Sequence, residues 1–301
     1  MSKSTITNKF TGKDYLNATG TIPYGMTNDY IFRIVFQENK YALKGLLCSI
    51  LGLKDDEIIS LEITNEVKPG VIITDKEYRM DIVVNLNNDS LLNLEMQINN
   101  YNNWQYRSLD YLCRVFDRLD HGDDYSEVRT TYQIGFLDFT LFEDHPEFFA
   151  TYQMRNALDE YLYTDRFNLI VVSLNQIELA TEDDKSREID TWARLFKSKT
   201  WEELKMVASN NDYMTSAVES VYLSNEDFNI AKIARDRDDY LRHEAYTKAR
   251  LQKLSEENEQ LTKANNALSK TNEDLSATIA DQNDTISRLH SLLKANGIPE
   301  S

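Results

Sequence analysis

Three features of this 301-residue chain predict an α/β fold: a mixed sheet flanked by helices, then a small helical region and a C-terminal coiled coil. Two neighbouring segments, YRMDIVVNLN and SLLNLEMQIN, alternate apolar and polar residues as strands do. Amphipathic helical segments stand before and after them, so helices and strands are interleaved along the chain. The last fifty residues differ in kind and carry leucines at heptad spacing.

Taken in order, Met1 to Tyr24 is polar with no apolar h-region, so no signal peptide is expected and residues 1–23 read as a leader. Thr27 to Ile50 reads as one helix, capped by Thr27 or Asn28 and followed by Gly52. Its apolar residues Tyr30, Ile31, Ile34, Val35, Leu43, Leu46, Leu47 and Ile50 recur at helical spacing. Ile58 to Val67 looks like a strand, followed by a turn at Lys68-Pro69-Gly70. The two alternating strands come next, and the polar run Asn85-Leu86-Asn87-Asn88-Asp89-Ser90 between them suits a hairpin turn. Trp104 to Leu119 is a helix with Leu109, Leu112, Val115, Phe116 and Leu119 on one stripe, stopped by Gly122. Thr131–Phe139 and Phe167–Leu174 are strongly strand-like, the second a continuous apolar run typical of a central strand, with further strands around 148–174. Lys185 to about Asp239 is helical and amphipathic, anchored by Trp192, Leu195, Phe196, Trp201, Leu204 and Val207, and reads as a small cap. The expected divisions are thus 24–183, a helical extension at 184–248 and the coiled coil at 249–296.

Heptads written from Leu251 place Leu251, Asn258, Asn265, Asn272, Ile279, Ile286 and Leu293 at a, and Leu254, Leu261, Leu268, Leu275, Gln282 and Leu289 at d. Neither Gly nor Pro interrupts until Gly297. Leucine at d with asparagine at a favours two parallel strands, because facing asparagines hydrogen-bond only in that register. A homodimer through the tail is expected, since a lone helix would expose its leucine stripe.

With 41% hydrophobic residues the chain can bury a sizeable core. No apolar run reaches the ~18 residues that span a membrane. Cys48 and Cys113 lie in apolar helical contexts and read as core residues of a reduced, cytoplasmic protein. None of the four histidines, His121, His145, His243 and His290, pairs with another His or Cys at metal-ligand spacing, so they read as surface residues.

The chemistry concentrates on the paired strands. Residues two apart share a face, so Glu95 and Gln97 project together, and Asp81 on the antiparallel neighbour comes within reach of both. Two carboxylates on adjacent strands suit a hard divalent cation such as Mg²⁺, which takes oxygen ligands and keeps room for a phosphate. The plain alternative is a pair of solvent-face acids. Against it, Asp81 precedes Ile82-Val83-Val84 and Glu95 lies between Leu94 and Met96, and a buried carboxylate needs a partner or a metal. Arg107 and Tyr111, four apart on the next helix, can contact phosphate or the acids, or simply stack on each other at the surface.

The ordered set NDYIFRIVF with Asp29, Asp81, Glu95-x-Gln97, WQYRSLDYLCRVFDRL, GDDYSEVRTTYQIGFLDF and LFKSKTWEEL resembles the PD-(D/E)XK nuclease family transposases, also called recombination-promoting nucleases or the Rpn family, over roughly residues 24–240. The resemblance implies a restriction-endonuclease-like fold and Mg²⁺-dependent cleavage of double-stranded DNA, with Mn²⁺ a possible substitute. It makes Asp81 the motif aspartate, Glu95 the second acid and the Met96 carbonyl a third metal ligand. Gln97 stands where the wider superfamily has lysine. An amide carries no charge and accepts no proton at neutral pH, so it can only orient a water or the phosphate. Asp29 falls where the superfamily often supplies another acid; equally, it complements the dipole at a helix start.

The net charge of −17 sits awkwardly with this implication, because proteins that hold DNA by phosphate neutralisation are usually basic. It predicts weak, salt-sensitive binding or a partner that delivers the substrate. Two other readings stay open: a catalytically weak dimeric scaffold or regulator on a nuclease fold, and a nuclease that cleaves RNA.

Overall fold

The computed structural model describes residues 14–65, 82–116 and 124–296. The chain forms two compact units, one ending at Leu241 and one beginning at Arg242.

In the first unit, α1 (Asp29–Glu38) and α2 (Lys40–Leu51) replace the single helix expected from Thr27 to Ile50. Asn39 makes the break. Its Oδ1 accepts from the Ala42 backbone N–H at 3.0 Å, while its Nδ2 donates to Ser216 O and to the hydroxyls of Ser216 and Ser220. A side chain that caps one helix and bonds across to another offers the backbone an alternative to one more turn. Asn28 caps α1, and left-handed Gly52 closes α2.

Among the described residues six strands make one sheet in the order β1-β2-β3-β4-β6-β5. They are β1 (Leu61–Ile63), β2 (Ile82–Leu86), β3 (Ser90–Gln97), β4 (Thr130–Leu137), β5 (Phe149–Arg155) and β6 (Leu162–Ser173). β1 is shorter than the strand expected over Ile58–Val67, and the turn expected at Lys68-Pro69-Gly70 lies outside the described residues. β2 runs antiparallel to both β1 and β3, β3-β4 and β4-β6 are parallel, and β5 returns antiparallel to β6. The predicted hairpin joins β2 to β3, with Leu86 opposite Ser90 and both Asn87 and Asn88 at positive φ. Asparagine tolerates that region better than most residues, which explains the pair of them.

One face of the sheet carries Leu92, Leu94, Met96, Ile134, Phe136, Ile170 and Val172 into the core. There Phe32 and Phe36 of α1 meet Phe136 and the pair Trp192 and Phe196, with ring centroids 4.9–6.1 Å apart. These last two belong to α5 (Ile189–Lys197), which follows the short α4 (Glu182–Ser186) and precedes α6 (Trp201–Ala208) and α7 (Asp212–Glu226). The segment expected to cap the fold therefore supplies part of its central core. The opposite face is covered by α3 (Trp104–Phe116), where Trp104 packs with Leu137 and Val171.

α3 corrects two expectations. Its buried positions are Trp104, Ser108, Leu112 and Val115, while Leu109 is 48% exposed and Phe116 37%. Cys113 is exposed rather than in the core, because the stripe turns toward Trp104. Leu119, Gly122 and His121 lie outside the described residues.

The last helix, α8 (Phe228–Ala295), buries Ile230, Ile233 and Ala234 at its start. The second unit is helix as far as Ala295, with Leu251, Leu254, Leu261, Leu268, Leu275, Ile279, Ile286 and Leu289 all exposed. No helix among the described residues is long and apolar enough to cross a membrane.

Candidate active site

β3 sets the geometry. Alternation places Asn93, Glu95 and Gln97 on the face covered by α3, and Leu92, Leu94 and Met96 on the core face. Glu95 stands opposite Gly135 and Gln97 opposite Leu137 on β4. Gly135 makes room for Trp104: a Cβ there would sit 2.1 Å from Trp104 Cζ2. The indole therefore lies against the β4 backbone at the position paired with Glu95 and seats α3 beside it. One turn further along α3, Arg107 Nη2 reaches Glu95 Oε1 at 2.5 Å. Glu95 is only 3% exposed, and a carboxylate so buried requires a compensating charge. The Arg107 guanidinium also lies 5.2 Å over the Tyr111 ring, a cation–π contact. Of the contacts open to Arg107 from its spacing, those with the acid and with the ring are both made.

Gln97 is fixed at the strand end. Its Nε2 donates to the Asn99 carbonyl at 2.8 Å, and its own carbonyl accepts from the Asp138 N–H at 3.0 Å. Asp138 in turn holds Lys197 of α5 at 2.7 Å. Successive carbonyls of a strand point to opposite sides within the sheet. With the Gln97 carbonyl turned toward β4, the Met96 carbonyl points the other way, toward the β2 side. Asp81 lies outside the described residues; it is the residue before Ile82, and Ile82 pairs with Leu94. Among the described residues no three His, Cys, Asp or Glu side chains gather so as to hold a metal ion.

Residues 26–251 match the family model described as PD-(D/E)XK nuclease family transposase. The chain belongs to the PD-(D/E)XK nuclease family transposases. A mixed sheet with helices on both faces is consistent with the fold expected of that family. Searches among curated proteins and among solved structures give no match.

In this family member the first-helix acid is tied down. Both Asp29 oxygens accept from Arg237, at 3.0 and 2.9 Å from Nε and 2.5 Å from Nη2. Burial works against the Arg237 charge, but the hydrogen bonds and charge of Asp29 outweigh it and raise its pKa above the ordinary value. Tyr101 and Tyr240 act on Arg237 in the same direction. Tyr101 accepts from Asn99 at 3.3 Å, so the Asp29–Arg237 pair adjoins the loop that leaves β3 after Gln97. Next to it, Asn28 Nδ2 donates to Ala234 O at 2.9 Å and Asp238 Oδ1 at 2.5 Å.

Sequence reasoning did not single out Arg237, the Asp138–Lys197 pair or the Trp104–Gly135 contact. The first two join residues far apart in the chain and have no local signature. Gly135 did have one: a lone glycine inside the strand pattern TYQIGFLDF marks a close approach by another group. The described histidines, His145, His243 and His290, are exposed.

Proposed function

We propose that this protein is a metal-dependent DNA endonuclease of the Rpn type, cleaving phosphodiester bonds in recombination, transposition or defence against phage. The observation that carries the reading is the buried Glu95 beside Gln97 at the end of β3, in a chain of a nuclease family. The donor set is all oxygen: the Glu95 carboxylate, the Met96 carbonyl turned toward the β2 side, and Asp81 just before Ile82. Such donors fit Mg²⁺, with Mn²⁺ as a substitute. A bound divalent cation supplies Lewis acidity, lowering the pKa of an attacking water and offsetting phosphate charge.

The chain's own residues do the rest. Glu95 binds from a strand paired to β2 on one side and β4 on the other. Gln97 stays neutral, and with its Nε2 held by the Asn99 carbonyl its Oε1 accepts a hydrogen bond from the attacking water and orients it, without taking its proton. Arg107 and Tyr111 form the substrate-facing side of α3. Asp29 is left out of the donor set, since Arg237 takes both its oxygens. The tail joins two copies as a parallel coiled coil, with Asn258, Asn265 and Asn272 setting register, so that two nuclease sites serve one duplex. The free thiols of Cys48 and Cys113 support a reduced, cytoplasmic setting.

Plasmid nicking by the purified chain, with and without Mg²⁺ and beside Asp81→Ala, tests the reading. Cleavage that requires Mg²⁺ and disappears in Asp81→Ala is the expected result; full activity in Asp81→Ala removes the site. The net charge of −17 and the exposed leucine row favour a second reading, a weakly active or inactive dimeric scaffold. Failure to cleave DNA or RNA with either metal would select it.

A further inference from the structure

We propose that Arg107 is an exchangeable positioning residue. It holds Glu95 until a divalent cation takes that carboxylate, and then carries its charge to a phosphate of the bound strand. The inference rests on the metal-dependent reading above and adds to it a role for the ion pair.

Arg107 Nη2 sits 2.5 Å from Glu95 Oε1, on a carboxylate the cation would ligate. Two positive centres on one carboxylate repel, most strongly where water is excluded. Cation and guanidinium therefore compete, and by linkage each weakens the other by the same factor. The pair is also asymmetric: the Glu95 side chain is 4% exposed and that of Arg107 29%, so the cationic partner is the one that reaches solvent. Its guanidinium already lies 5.2 Å over the ring of Tyr111, one turn outward on α3, which gives it a surface to slide along. The helix need not move, because Trp104 seated on Gly135 pins the preceding turn. Exchange is then a rotation of one side chain about a fixed backbone. Guanidinium suits both stations, since its planar fork matches carboxylate and phosphate alike.

Titration calorimetry of Mg²⁺ and of Mn²⁺ into the full chain, without nucleic acid, reads the competition directly. Arg107→Met should bind the cation about tenfold more tightly than wild type, a coupling of ordinary size, and Glu95→Gln should not bind it. In EDTA, Arg107→Met should melt below wild type and regain more on adding Mg²⁺. Arg107→Lys keeps the competing charge and should stay near wild-type affinity. Arg107→Gln repeats the measurement if Arg107→Met does not fold. Anisotropy with a duplex of non-hydrolysable linkages should show Arg107→Met weakened with cation present and unchanged in EDTA.

Cation binding no tighter in Arg107→Met than in wild type overturns the exchange and leaves the metal site standing. Equal tightening in Arg107→Lys also overturns it, because loosening of α3 rather than charge would be the cause. Loss of duplex affinity to the same degree with and without cation overturns the transfer to phosphate. If neither wild type nor Arg107→Met binds a cation, the metal-dependent reading fails first and the exchange falls with it.

Discussion

Adding one methyl group at Gly135 is expected to unseat α3. The new Cβ would lie 2.1 Å from Trp104 Cζ2, 2.6 Å from Cη2 and 3.2 Å from Cε2. Carbon atoms pack at about 3.5–4.0 Å, so the closest contact is short by about 1.4 Å. The clash falls on a rigid ring 3% exposed, packed with Leu137 and Val171, rather than on the free end of a flexible chain. Overpacking of this kind costs ~1–3 kcal/mol, and ejecting the indole from its seat ~3–5 kcal/mol. We expect about 3 kcal/mol for Gly135→Ala, at the overlap of the two ranges. For a unit of this size each kcal/mol lowers the melting midpoint by ~2–4 °C, which gives a fall of ~6–12 °C. Thermal and urea melts followed by circular dichroism measure it. The double variant with Trp104→Leu should show a much smaller added cost for the alanine, because the atoms it strikes are gone. If Gly135→Ala melts within about 1 °C of wild type, or costs as much without the indole as with it, the close seat of Trp104 on β4 is wrong.

Removing one partner of the largely buried Asp29–Arg237 pair, whose side chains are 10% and 12% exposed, as in Arg237→Ala, should cost ~3–5 kcal/mol by urea unfolding, with much of it recovered in Asp29→Leu/Arg237→Met; a loss under about 1 kcal/mol would place the pair in solvent. Asn39→Ala removes a helix cap and its bonds to Ser216 and Ser220, and should cost about 2 kcal/mol or more in the same assay. Burial and then the Asp55 carboxylate push the Cys48 thiol up to about 11, so at pH 8 it is almost wholly protonated, and its alkylation should accelerate as pH rises toward that value. Mass spectrometry after brief iodoacetamide treatment should find the adduct on exposed Cys113; faster labelling of Cys48 would contradict the packing around it. Truncation after Arg250 should give a monomer by light scattering that nicks supercoiled plasmid and rarely linearises it, and a truncated chain that stays dimeric would put the interface elsewhere.

What the sequence determined by itself is what depends on near neighbours. The hairpin between β2 and β3 was legible because alternation has a period of two and the asparagine run tolerates positive φ. The tail was legible as helix because its heptads run without Gly or Pro. The shared face of Glu95 and Gln97 follows from strand geometry alone. Tertiary structure decided the rest. A helix expected to run from Thr27 to Ile50 breaks at Asn39 because that side chain finds Ser216 and Ser220, which no local pattern announces. The stripe of α3 turns toward Trp104 because Gly135 leaves space for an indole, and that seat is what brings Arg107 to Glu95. Asp29 read equally as a further site acid or as a helix-start acid; it does begin α1, and its charge is answered by Arg237, 208 residues away. A buried charge is stable only with its partner, and which residue becomes that partner is settled by how sheet and helices stack, not by the residues on either side.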